Sequence, residues 1–127
     1  MRQERRGFTL IELLMVVVII GLLVAVLVPR FANSREKAFM GAMKSDLRNL
    51  AAAEEEYFYD QQTYTTVIGN LTGYRPSVGV TISVSSANQG GWAATASHNN
   101  TARQCFLYVG NAPPVGNATA EGQITCN

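Results

Sequence analysis

Gly7-Phe8-Thr9-Leu10-Ile11-Glu12-Leu13, carried on a short basic leader, decides how this chain is read. The stretch that follows, residues 13–29, holds no charged side chain. Phe8 to Val28 is 21 residues, about 31 Å as a helix, which is enough to span a bilayer. An acidic side chain in such a segment is expensive, about 2.5–3.5 kcal/mol near the centre and less at the interface. Glu12 is therefore a candidate functional residue that needs a partner.

Chemistry suggests one. A cut between Gly7 and Phe8 would leave a cationic α-amine on Phe8 at neutral pH. That amine would lie one helical turn before Glu12, on the same face. The two charges could neutralise each other within one chain or between neighbouring chains. The second arrangement would make the pair an assembly device.

On these residues the chain resembles the type IV pilins and their pseudopilin relatives, whose class III signal peptide has this form. The resemblance implies cleavage after Gly7 by a prepilin peptidase, N-methylation of Phe8 by the same machinery, and a role in filament assembly for Glu12. Gly21 and Pro29 stand where the family often carries a helix-loosening glycine and proline. The likeness covers residues 1–59 well. Beyond them it rests on layout alone, a helix followed by a β-rich head with a C-terminal cysteine pair. Two other readings of the N-terminus compete. A secretory signal peptide would need a small-residue cleavage site after the apolar run, and none closes it. A permanent single-pass anchor is the other, and before assembly this segment should serve as one. Arg30, Arg35, Lys37 and Lys44 flank the far end, so charge alone does not orient it. The motif and the cysteines favour leader in, head out.

The 127 residues support one small domain plus the helix. The formal charge is +1. Arg2, Arg5, Arg6 and Glu4 give the leader a net +2, so its removal leaves about −1. Between Gln61 and Ala120 no acid occurs, and Arg75 and Arg103 are the basic residues. That charge is too thin for strong direct nucleic-acid binding by one subunit. Cys105 and Cys126 enclose twenty residues. In an exported chain they read as a disulfide, worth roughly 3 kcal/mol in the chain-entropy model; free thiols in a reducing compartment are the alternative. A metal site is not expected, because His98 is the one histidine and there is no third cysteine.

The helix should run on past Pro29. From Phe31 to Tyr59 there is one glycine, Gly41, and no proline, and strong helix formers dominate. Phe39, Met43, Leu47, Leu50 and Phe58 form one stripe, with a double step over Glu54, so this half is amphipathic while the first half is apolar all round. The whole helix would hold 52 residues, Phe8 to Tyr59, and reach about 78 Å. Pro29 removes a donor and frees the carbonyl of Ala25. With Gly21 it marks the weakest stretch, and the resemblance implies unwinding there in a filament.

The expected fold class is α+β, a long N-terminal helix on a small antiparallel sheet. The expected division is leader 1–7, apolar helix 8–29, amphipathic helix 30–59, connecting loop 60–77 and β-rich head 78–127. Val78 to Ser85 alternates as a strand with Val78, Val80, Ile82 and Val84 on one face. A turn at 87–91 follows, then strands at 92–97, 104–109 and 123–126. One face of the sheet should meet the helix and the other should meet solvent. The glutamate run 54–56 reads as a solvated or intersubunit face rather than a cation site. His98, in a Ser-His-Asn-Asn turn, should be solvated.

No nucleophile elbow, phosphate loop or acid–base dyad appears, so catalytic residues and cofactors are not expected. The resemblance implies a type IV pilus subunit, a single-pass protein of the inner membrane that becomes part of an extracellular pilus. Its partners would be copies of itself in a helical homopolymer, the prepilin peptidase and methyltransferase, and the inner-membrane assembly platform. Adhesion, motility or DNA uptake would be activities of the filament. The alternatives are a minor pilin and the major pseudopilin of type II secretion. That subfamily usually lacks the disulfide and carries late acidic calcium ligands, whereas Glu121 is the one late acid here.

Overall fold

The computed structural model describes residues 7–127. The expected leader residues 1–6 lie outside them. One long helix, α1 (Leu10–Gln61, 52 residues), precedes four strands: β1 (Val80–Asn88), β2 (Gly91–His98), β3 (Thr101–Gly110) and β4 (Thr125–Cys126). The sheet is antiparallel in the order β1-β2-β3-β4. A 3₁₀ turn at Ile68–Asn70 interrupts the connection from α1 to β1. The described residues divide into two compact units, one ending at Arg35 and the other running from Glu36 to Asn127.

In the first unit the helix is apolar on all sides. Large side chains from Phe8 to Phe31 are exposed around its whole circumference. By length and composition α1 can cross a membrane through this segment. The helix is continuous through Gly21 and Pro29 in the single chain.

The second unit has a core of its own. Met43, Leu47 and Leu50, three and four residues apart, are fully buried against Trp92, Ala94, Ala96, Cys105 and Leu107. Ala94 and Ala96 of β2 and the larger Trp92 are all 0% exposed in this cluster. Phe58 is half-buried and stacks on Tyr64 with ring centroids 4.6 Å apart.

Three expectations need correction. Val78 is 100% exposed and precedes β1. Gly79, with φ +84°, turns the chain between it and Val80, so the apolar alternation begins one step later. Val80, Ile82 and Val84 keep the expected core face, but a bulge between Val84 and Ser86 breaks the alternation at Ser85, the last residue of the expected strand. The outer face of the sheet meets solvent only in part: Thr81, Ser83 and Gln104 are exposed as expected, but its other end is covered. Ala93 and Phe106 are buried there beside Ala112 and Ala118 of the 111–122 loop. Gly116 has φ +57°, and a Cβ on it would run into the Phe106 ring. A glycine is needed at that close approach.

The tail is fastened as expected. Cys105 and Cys126 face each other across β3 and β4 and form a disulfide. Asn127 N–H donates to the Gln104 carbonyl at 3.1 Å, and Gln104 N–H donates to Asn127 Oδ1 at 2.8 Å. Arg103 donates to the Asn127 carbonyl at 2.8 Å and pairs with Glu36 at 2.9 Å.

Candidate functional site

The start of α1 gathers the residues singled out by the sequence. Thr9 immediately precedes the helix, and Glu12 lies in its first turn. Thr9 N–H donates to Glu12 Oε2 at 2.9 Å, and Thr9 Oγ1 donates to the same oxygen at 2.8 Å. Glu12 N–H donates back to Thr9 Oγ1 at 3.3 Å. This reciprocal pairing is a capping box, which satisfies two of the backbone donors that a helix start leaves free. The acid also lies at the positive end of the helix dipole.

The structure thus gives Glu12 a partner that the sequence reading missed. Thr9-Leu10-Ile11-Glu12 is the Thr-x-x-Glu signature of a capping box. In this chain the Phe8 nitrogen is still a peptide nitrogen, so the cationic partner arises only after cleavage. Gly7 and Phe8 lie exposed just before the capped turn. Glu12 Oε1 makes no hydrogen bond to any described residue.

Two other helix carboxylates are buried in the second unit. Asp46 accepts from Ser77 N–H at 2.8 Å and Ser77 Oγ at 2.9 Å. Tyr74 OH donates to the Asp46 carbonyl at 3.0 Å. Glu54 Oε2 accepts from Thr65 N–H at 3.0 Å, while Glu54 Oε1 has no hydrogen-bond partner. Together they clamp the 62–79 connection onto the helix. The expectation for the glutamate run fails at Glu54, which is 0% exposed. It takes the place in the apolar stripe that the spacing skipped, because the connection brings a backbone donor to it. Burial pushes its carboxyl pKa above the ordinary value. Burial, aided by the hydrogen bond to Glu55, pushes the Tyr64 hydroxyl up to about 12. Burial raises the Tyr74 hydroxyl too.

His98 is a further correction. It is 9% exposed and stacks on Phe39 with ring centroids 4.3 Å apart. Its Nδ1 accepts from Asn100 N–H at 3.1 Å. The turn at 99–100 is exposed, but the histidine before it ends β2 on the helix side. Among the described residues no three His, Cys, Asp or Glu side chains converge.

The profile of the prokaryotic N-terminal methylation motif matches residues 2–28, which include Gly7, Phe8, Glu12 and Gly21. The chain is 36% identical over 76 residues to the type IV major pilin protein PilA of Myxococcus xanthus, covering 60% of this chain and 34% of that one. It is 37% identical over 79 residues to the type II secretion system core protein G of Klebsiella michiganensis, covering 61% and 56%. It is 33% identical over 100 residues to the type IV wide pilus major component PilA4 of Thermus thermophilus, covering 76% of each. The chain thus spans about a third of the Myxococcus pilin and little more than half of the Klebsiella protein.

Proposed function

This chain belongs to the type IV pilin and pseudopilin family, and from that premise we propose that it is a structural subunit of a type IV pilus. It is held in the inner membrane as a prepilin, cut after Gly7, N-methylated on Phe8 and polymerised into a surface filament. Its partners are the prepilin peptidase and methyltransferase, the inner-membrane assembly platform, and other copies of itself. Its role is structural rather than catalytic. Adhesion, motility or DNA uptake would belong to the filament.

The observation that carries this reading is the first unit of the structure. Its apolar side chains are exposed on every face of the helix, and each 100 Å² of such surface costs about 2.5 kcal/mol in water. Lipid satisfies it in the stored subunit, and neighbouring helices satisfy it in the polymer. Glu12 is the acid of this segment. In the uncut chain Thr9 holds it. After cleavage the new Phe8 amine of a neighbour supplies an opposite charge, so docking lowers the cost of keeping a carboxylate in an apolar bundle. Gly21 and Pro29 would allow the helix to loosen between them as it packs.

Mass spectrometry of the protein from membranes and from sheared surface material tests the proposal. The expected product begins at N-methylated Phe8 in the sheared fraction. A sheared fraction without this chain, or an intact leader there, would overturn it. The pseudopilin reading draws on the 37% identity to core protein G, but that match covers less of the chain than the wide-pilus match. Neighbouring genes separate the two: a retraction motor accompanies pili, and secretion-channel genes accompany pseudopilins.

A further inference from the structure

Two grooves of opposite charge flank the buried face of α1 in the second unit. One, of about 530 Å³, is lined by Lys44 and Arg48 over an apolar floor of Ala51, Leu107, Val109 and Ile124. On the other flank, Glu56 and Asp60 line a hollow with Ala53, Tyr57, Asn70 and Thr72. A neighbouring hollow places Arg75 on the Glu56 side. The one ion pair among the described residues is Arg103–Glu36. Lys44, Arg48, Glu56 and Asp60 therefore form no ion pair there, and Arg75 is the one cation that shares a hollow with Glu56.

The spacing of these charges matters. Lys44 and Arg48 are four residues apart, and so are Glu56 and Asp60. Like charges at that spacing repel on a helix, so each stripe is unfavourable in a lone chain. Lys44 to Glu56 and Arg48 to Asp60 are both twelve positions, about 18 Å of rise and about 120° of rotation. One axial displacement thus sets both pairs in register at once. The stripes occupy different sides of the helix, so their contact is heterologous. A heterologous contact that does not close extends into a filament.

We infer that the Lys44–Arg48 groove receives the Glu56–Asp60 face of a second copy of this chain. The inference rests on the pilus-subunit reading and specifies one contact of that polymer. The apolar floor is covered by the neighbour, and the two charge stripes neutralise each other across the interface. Complementary charges of this kind fix register and disfavour other alignments.

The test compares four proteins: wild type, Lys44→Glu/Arg48→Glu, Glu56→Lys/Asp60→Lys, and the variant carrying all four changes. Each double reversal should lower sheared filament about tenfold, because like charges then meet across the interface. The fourfold variant should recover to within about threefold of wild type. Trp92 fluorescence and an intact Cys105–Cys126 bond report that each protein is folded. Wild-type filaments supply a measurement that needs no variant. Carbodiimide joins an amine to a carboxylate in direct contact, and it should link Lys44 to Glu56 or Asp60. A link to Glu56 must be between copies, since the two are about 18 Å apart on one helix. If the fourfold variant stays as poor as the doubles and Lys44 links to other acids, this contact is overturned while the filament reading stands. A wild-type surface fraction lacking this chain overturns that reading and the contact with it.

Discussion

The two halves of α1 are the same kind of helix with opposite fates. Residues 36–61 turn one stripe, Met43, Leu47 and Leu50, into a core shared with the sheet. Residues 8–31 present apolar side chains all round, and the chain leaves them exposed. The difference lies in the width of the apolar surface. A stripe can be covered by one sheet, but a whole circumference needs a solvent of its own kind. The second half therefore stabilises the subunit, and the first half gives it a reason to leave water.

The largest expected effect is at Glu12. Glu12→Ala should leave membrane insertion intact or improve it, because a polar group is removed from the apolar segment. Sheared filament should fall sharply, and Glu12→Asp should be intermediate. Trp92 lies in the other unit, so its thermal transition in detergent should not move. Normal filaments from Glu12→Ala would remove the assembly role. A shifted Trp92 transition would break the separation between the halves.

Next come the changes in the covered half. Leu47→Ala should lower stability by about 2–5 kcal/mol, from lost burial and the cavity left behind. Cys105→Ser should cost roughly 2–5 kcal/mol by freeing the tail. Both are measured by denaturant titration followed through Trp92. Both should spare membrane insertion. A loss below about 1 kcal/mol for Leu47→Ala would mean that the stripe does not carry the core.

The smallest effect concerns Glu54. Burial raises its carboxyl pKa above the ordinary value of 4.5, so the folded state binds a proton more readily than the unfolded state. Its contribution is most favourable below that ordinary value and declines as pH rises through the folded value. Glu54→Gln keeps an acceptor for Thr65 N–H and removes the charge. The variant should have a higher transition temperature than wild type at pH 7, and the gap should narrow towards pH 4. A gap that widens on acidification would reverse the sign and refute the buried acid.

Periodicity made the helix, its two halves and the first strand legible, because these follow from which residues must avoid water. The details that failed depend on partners distant in sequence. Glu54 looked solvated because its donor, Thr65 N–H, comes from a connection with no regular pattern. Asp46 sits on the same buried stripe beside Leu47 and Leu50, yet its partner Ser77 lies 31 residues away. His98 looked like part of an exposed turn, while Phe39 stacks on it from the helix. At the candidate site the reverse happened. The Thr9–Glu12 cap is local and could be read directly, whereas the charge partner proposed for Glu12, the Phe8 amine, would exist only after cleavage.

The disulfide gives the 111–122 loop an unusual tolerance. The Cys105–Cys126 bond and the β3–β4 pairing bracket it, and Glu121 and Gly122 tie its far end back to Gly110 and Tyr108. Doubling the length of such a segment costs only about 0.6 kcal/mol in closure entropy. Pro113 and Pro114 are exposed, while Ala112, Gly116 and Ala118 make the inner contacts. A peptide grafted between the two prolines would be carried on a fixed frame. In a polymer it would repeat once per subunit, which turns one permissive turn into a dense, ordered array for display.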